Sequence, residues 1–458
     1  MLANKLKVYS LIGLLIILCS IASAETKLDG KRAPWVEPYQ TAIKSIVGIG
    51  NGISMGSGFI LTESGYVLTC NHHLKQESNN QVMLLDGTMV PYRVVVQNEY
   101  YDLALIKIVS DKPFIPAKLG RSSEIKIAEP VMAIGNPYGL TFSATTGVIS
   151  GVNRKVGNTF AQYDSVLLTD AAVNYGSSGG PLINMNGEVL GVTVECIAIN
   201  AAIPIDTVLR ELPDLINAEA RYGYKLGLKL NPDKTGVVKE VVKGSPAEKA
   251  GLVVGDVVTS INKKPIVRSL DFILELLDHK GGDKLSLTVK RKSIVLNKTI
   301  TLGVVPLRAA EQVANLTPGL FVDLYSGNWN KLPDFSKLTS AGRNVAGDVS
   351  LDASLKGKNY YGLRFTGYVN VPTDGVYGFF IASDDGSRIC IGNQVVTDHD
   401  GLHGANEKAG FIPLKAGYHP ITIEYFQRDG GSDLKVYADG PGFAKQALPS
   451  TSLFHKAN

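Results

Sequence analysis

The chain has 458 residues, 45% of them hydrophobic, and 46 basic against 42 acidic side chains leave a formal net charge of +4. That length predicts about three domains at ~150 residues each, and that apolar content is enough to build real cores. The near balance of charge excludes the basic surface that nucleic acid requires, so no nucleic-acid partner is expected. Beyond residue 24 only Cys70, Cys196 and Cys390 remain. They are too few and too widely spaced for a disulfide framework or a zinc pattern.

Residues 1–24 read as a secretory signal. Lys5 and Lys7 form a positive start, Leu11 to Ile21 is an apolar run, and Ala22-Ser23-Ala24 supplies small residues for cleavage. This places the body of the protein outside the cytoplasm, periplasmic or secreted. Pro34 to Lys44 reads as a short amphipathic arm. Short β-type runs separated by turn residues follow, among them Gly56–Leu61, Tyr66–Leu68, Leu103–Val109, Val131–Ile134 and Glu188–Val194. Many short strands with glycine turns predict an all-β barrel or sandwich. Only Pro204 to Ala218 carries helical periodicity, with Pro213 inside it.

Three stretches in this region carry chemistry. Val67-Leu68-Thr69-Cys70-Asn71-His72-His73 puts a histidine at a strand end, and Asp102-Leu103-Ala104-Leu105-Ile106 puts an aspartate at the mouth of an apolar strand. A buried carboxylate needs hydrogen-bond donors, and an imidazole N–H is a suitable one. Asn174-Tyr175-Gly176-Ser177-Ser178-Gly179-Gly180-Pro181 sets a serine in a glycine-rich turn. Such a turn can present a hydroxyl nucleophile and several backbone N–H groups to one point. Alone it fits a hairpin, or the G-x-S-x-G elbow of another hydrolase fold. The chain order His72, Asp102, Ser178 on a β pattern is instead that of the chymotrypsin-type barrel.

With these motifs the sequence resembles the high-temperature-requirement family of trypsin-like serine proteases over roughly residues 34 to 300. Gly56-Ser57-Gly58-Phe59-Ile60, Ala133-Ile134-Gly135-Asn136-Pro137-Tyr138-Gly139 and Thr146-Gly147-Val148-Ile149-Ser150 complete the likeness. The resemblance implies a double β-barrel over residues 33–218, dividing near 120, with the catalytic site between the barrels. It implies catalytic His72, Asp102 and Ser178, oxyanion donors on the N–H groups of Gly176 and Ser178, no cofactor, and a homotrimer as the usual unit. The sequence departs from the family at Ser177, where Asn is usual, and at His73, where Val is usual. His73 is expected to face away from the site. The insertion common near the first strands is nearly absent, since 51–55 is short. Ala172 stands where a trypsin-like pocket would carry an acid, which predicts an apolar specificity pocket. Cys70 and Cys196 are expected near Asp102, as two thiols or as a disulfide.

Residues 219–306 resemble a PDZ domain. Lys225-Leu226-Gly227-Leu228 matches its carboxylate-binding loop, and Gly244-Ser245-Pro246-Ala247 and Gly255-Asp256-Val257-Val258 match its helix and following turn. A second helix is expected over Ser269–Asp278, with Ile273, Leu276 and Leu277 inward. The resemblance implies that the N–H groups of Leu226, Gly227 and Leu228 receive the C-terminal carboxylate of a peptide.

Residues 307–318 read as a linker, and 319–456 resemble the protective-antigen type of β-sandwich module. That family implies a glycan or surface ligand. Its consecutive aspartates are matched by Asp384 and Asp385, which predict either a calcium site or a braced turn. The fold class expected is therefore mainly β: a double barrel, a PDZ domain and a β-sandwich. The function expected is an extracytoplasmic serine endopeptidase acting on unfolded or damaged polypeptides, with peptide capture and a surface-binding module.

Overall fold

The computed structural model describes residues 33–50, 55–74, 80–98, 101–136, 142–157, 162–196 and 199–457. The signal segment 1–24, Asn51–Ser54 of the shortened insertion and Pro137-Tyr138-Gly139 lie outside these residues. Among the described residues no helix is long and apolar enough to cross a membrane.

Twelve strands form two closed barrels of six. The first runs β1 (Ile46–Gly50), β2 (Met55–Ile60), β3 (Tyr66–Cys70), β4 (Gln81–Met83), β5 (Met89–Asn98) and β6 (Leu103–Ile108), closed in the order β1-β2-β3-β6-β5-β4. The second runs β7 (Pro130–Gly135), β8 (Ser143–Gly157), β9 (Gln162–Thr169), β10 (Pro181–Ile183), β11 (Val189–Cys196) and β12 (Ile199–Pro204), closed as β10-β11-β12-β9-β8-β7. Closure explains why β3 is buried throughout and β6 almost so. A barrel strand has apolar neighbours inside and a second packed layer outside, so both faces are apolar. Gly65 turns β2 into β3 at φ +93°, where an L-residue would be strained.

The helix Ile205–Ile216 leaves the second barrel with Ile205, Val208, Leu209, Leu212 and Ile216 buried. These side chains belong to one apolar cluster that runs from the barrels into the segment 224–304. There Val257–Ile261 pairs with Lys284–Arg291, which pairs with Ile294–Thr301, and two short helices cover the sheets. The second helix ends at Leu276 and buries Leu270, Phe272 and Leu274, with Ile273 only half-buried. Leu276 and Leu277 are buried as expected, so of the expected inward set only Ile273 departs. Tyr66 of the first barrel donates to Asp278 at 2.9 Å, and Arg268 donates to the Leu119 carbonyl.

Residues 307–318, expected as a linker, lie along the C-terminal module. Arg308 N–H donates to Pro413 O at 2.8 Å and Glu311 N–H to Tyr418 O at 2.8 Å. The module itself is two antiparallel sheets of eight and four strands around one core that includes Phe365, Phe379, Ile381, Ile423 and Tyr425.

Candidate active site

Asp102 precedes β6 with φ +49°, a backbone region that non-glycine residues occupy only when their surroundings enforce it. The enforcing contacts are specific. Its carbonyl accepts from Asn71 N–H at 3.1 Å, and its Oδ1 accepts from His72 N–H at 2.9 Å. Its Oδ2 meets His72 Nδ1 at 2.7 Å and accepts from the Tyr163 hydroxyl at 2.8 Å. The carboxylate is 2% exposed, so three donors replace the water it has lost. An imidazole fixed through Nδ1–H keeps Nε2 as its proton-accepting atom.

His73 does not face away as expected. It shares the single 3-10 turn Asn71–His73 with His72, and that turn brings both rings to the same side. The two ring centroids are 4.0 Å apart. His73 Nε2–H donates to the Ser178 carbonyl at 3.1 Å, which also accepts from Ser57 N–H at 2.9 Å. Burial, and then His72 beside it, push His73 down to about 3, so the ring is neutral. Its bulk fits because residue 56 is glycine: a Cβ there would lie 2.4 Å from the ring.

The turn that carries Ser178 is built from backbone bonds. Ser177 N–H donates to Asn174 O at 2.8 Å, Gly180 N–H to Ser177 O at 3.0 Å, and Gly179 N–H to Thr193 O at 2.8 Å. Thr193 Oγ1 on β11 returns a bond to Ser177 O at 2.7 Å. Ser177 Oγ faces its own turn, 3.4 Å from Asn174 N. Gly179 sits at φ +84°, and a Cβ there would lie 2.1 Å from Ser57 O. Ser57, on β2 of the first barrel, ties the pieces together. Its hydroxyl donates to Gly176 O at 2.7 Å and accepts from Asn136 N–H of the second barrel at 2.8 Å. This is the task of the Gly-Ser-Gly motif: the serine bridges, and the glycines let β1, His73 and β3 close in.

Ala172 is exposed at the edge of this region, its carbonyl accepting from Thr145 Oγ1 at 2.7 Å. Residues 197 and 198 of the expected pocket wall lie outside the described residues. Cys70 and Cys196 are both buried free thiols, so of the two expectations the thiol pair is the one present. Burial, and then Asp102 beside it, push the Cys70 thiol well up, which leaves it protonated.

The peptide-loop residues are also placed. Leu226 N–H donates to Glu219 Oε2 at 2.9 Å, and Gly227 N–H to Oε1 at 3.0 Å and Oε2 at 3.2 Å. Leu228 opens a strand paired with Val241.

The contacts of Asp385 are those of a braced turn. Asp385 spends Oδ1 on His403 N–H at 3.3 Å and Oδ2 on Arg428 N–H at 2.9 Å, which braces two loops. The Asp384 carbonyl accepts from Tyr425 Oη at 2.6 Å. Among the described residues, the one group of three closely spaced metal-ligand side chains is Cys70, His72 and Asp102, far from this pair in sequence and already bonded internally.

Tyr163, His73, Ser57, Thr193 and Glu219 are the contributors that sequence reasoning missed. His73, beside His72, and Ser57, in the Gly-Ser-Gly motif, carried local signals.

Residues 56–192 match the trypsin-like peptidase domain, 237–291 the PDZ domain and 316–451 the PA14 domain. A probable periplasmic serine endoprotease, DegP-like, from Hahella chejuensis is 34% identical over 274 residues, covering 55% of this chain and 58% of the relative. A protein of the same description from Pseudomonas putida (strain W619) is 34% identical over 273 residues, covering 55% and 56%. The chain thus spans less than two thirds of the length of these relatives. Among solved structures, the HtrA-type protease AlgW with tripeptide is 28% identical and covers 60% of this chain and 98% of that one, with a TM-score of 0.38. The serine endoprotease from Yersinia pestis is 26% identical and covers 60% and 100%, with a TM-score of 0.36. The chain is accordingly similar to DegP-like serine endoproteases, with residues that match a trypsin-like peptidase domain, then a PDZ domain and a C-terminal PA14 domain.

Proposed function

We propose that this chain is an extracytoplasmic serine endopeptidase that cleaves unfolded or damaged polypeptides, with His72, Asp102 and Ser178 as its catalytic residues. The observation that carries this reading is the His72–Asp102 pair: a 2.7 Å contact on a buried carboxylate, joined through His73 to the turn that bears Ser178. In the proposed reaction Ser178 Oγ attacks the scissile carbonyl while His72 Nε2 takes its proton. The proton then passes to the leaving amine. Water, deprotonated by the same imidazole, releases the acyl group. Asp102 holds the tautomer and balances the imidazolium. The N–H groups of Gly176 and Ser178 are proposed to receive the oxyanion, each donor of this kind being worth about 3 kcal/mol in the barrier. Hydrolysis by this route uses no cofactor. With Ala172 where a trypsin-like pocket would carry an acid, small or medium aliphatic side chains are proposed ahead of the scissile bond.

The PDZ domain is proposed to capture C-terminal peptides, and the PA14 domain to tether the enzyme to a glycan or surface partner. Both named relatives are described as periplasmic, which supports the same compartment here.

The test is Ser178→Ala. The parent should cleave casein and be labelled by a fluorophosphonate, and the variant should do neither while keeping its circular dichroism spectrum. A parent that folds but takes no label would instead favour a scaffold whose barrels bind without hydrolysing.

A further inference from the structure

We propose that Glu219 is the resident occupant of the PDZ carboxylate loop, so that a peptide C-terminus enters only by displacing it. This rests on the reading of Leu226–Leu228 as the peptide-carboxylate loop. The loop is rigid on its other side: Leu226 O accepts from Ala247 N–H at 3.0 Å and Gly227 O from Val242 N–H at 2.9 Å. Gly227 has φ +71°, and a Cβ there would lie 2.2 Å from Ser245, so the conformation belongs to glycine alone. With the carbonyls fixed inward, the Leu226 and Gly227 amides converge on one point, and both oxygens of the Glu219 carboxylate occupy it at 2.9–3.2 Å. Two adjacent N–H groups gripping a carboxylate are the chemistry of a peptide C-terminus. Here the anion comes from seven and eight residues upstream, so its effective concentration is far above that of any free peptide.

The occupant is wired to the rest of the molecule. Glu219 lies on the short helix Ala218–Tyr222, and Arg221 of that helix reaches Asp439 of the C-terminal module at 3.5 Å and stacks on Phe411 at 4.3 Å. Its Nε–H also donates to Ile216 O at 3.2 Å, the end of the helix packed on the second barrel. A peptide that evicts Glu219 therefore releases one attachment of the segment where all three domains meet. The ligand class is a polypeptide with a free α-carboxylate, and an amidated chain end cannot compete.

The test uses the full chain with Ser178→Ala, so that no probe is cut. Fluorescein-labelled decapeptides, randomised except for a C-terminal Val, Leu or Phe, are titrated by fluorescence anisotropy as free acids and as amides. Apparent affinity scales with the fraction of open sites, so a loop closed nine-tenths of the time weakens binding tenfold. Glu219→Ala should then bind the free-acid pool about tenfold more tightly than the parent and leave the amidated pool unbound. Hydrogen exchange at Leu226 and Gly227 should quicken in the same variant. Equal affinity of parent and variant for the free acid, or equal exchange at both amides, overturns the proposal. If neither protein binds the pool, the peptide-capture reading fails, and the exchange measurement alone decides whether Glu219 holds the loop. Should Glu219→Ala not fold, Glu219→Gln is read against the same two outcomes, with a threefold or greater gain expected.

Discussion

Tyr163→Phe removes one hydroxyl and keeps the buried ring. In the structure that hydroxyl is one of three donors on the Asp102 carboxylate, at 2.8 Å, and Tyr163 is 6% exposed. A hydrogen bond to a charged, buried acceptor is worth roughly 1.5–3 kcal/mol, more than a neutral one. The carboxylate keeps both donors from His72, so part of the loss is recovered by relaxation toward them. We expect a loss of about 1.5 kcal/mol in stabilising the imidazolium, which is about tenfold in kcat/KM, carried by kcat with KM little changed. The same change should lower the melting temperature by a few degrees, since ~1 kcal/mol shifts a domain of this size by about 2–4 °C. Initial rates on casein and the second-order rate of fluorophosphonate labelling read the first effect, and calorimetry the second. A variant that labels within twofold of the parent would refute the claim that Tyr163 orders the Asp102–His72 pair.

Other outcomes follow from the same contacts. His73 is held neutral by burial at about 3, below the 6.5 of a free histidine. The unfolded chain therefore binds this proton first, and the stability it contributes is present above pH 6.5 and lost as pH falls from 6.5 toward 3. Its slope is at most about 1.4 kcal/mol per pH unit. Melting curves from pH 7 to 4.5 should fall less steeply for His73→Val than for the parent, and parallel curves would argue against the assignment. Gly179→Ala drives a Cβ into Ser57 O at 2.1 Å from a left-handed backbone. It should abolish labelling by distorting the turn, and a labelled, folded Gly179→Ala would show that the turn has room to spare.

Local signals, short apolar runs and glycine turns, predicted an all-β barrel or sandwich, and the family resemblance carried by the motifs implied the double barrel. Such signals are legible because strand burial and turn chemistry leave a mark on adjacent residues. The order His72, Asp102, Ser178 was legible for the same reason, each member sitting at the end of a recognisable strand or turn. The orientation of His73 was not, because in a single 3-10 turn adjacent side chains need not alternate between faces as they do along a strand. Tyr163 contacts an aspartate 61 residues away, and Ser57 contacts Gly176 across 119. No periodicity within a strand encodes such partners.

By itself, then, the chain's order of residues determined strands and turns and singled out the groups proposed to react. Only the tertiary structure decided what surrounds them: which hydroxyl steadies Asp102, which imidazole braces Ser178, and which carboxylate fills the loop at Leu226. The reason is physical. Backbone conformation depends on neighbours a few positions away, whereas the solvation of a buried charge or amide depends on whichever distant side chain the closed barrels and packed domains bring to it.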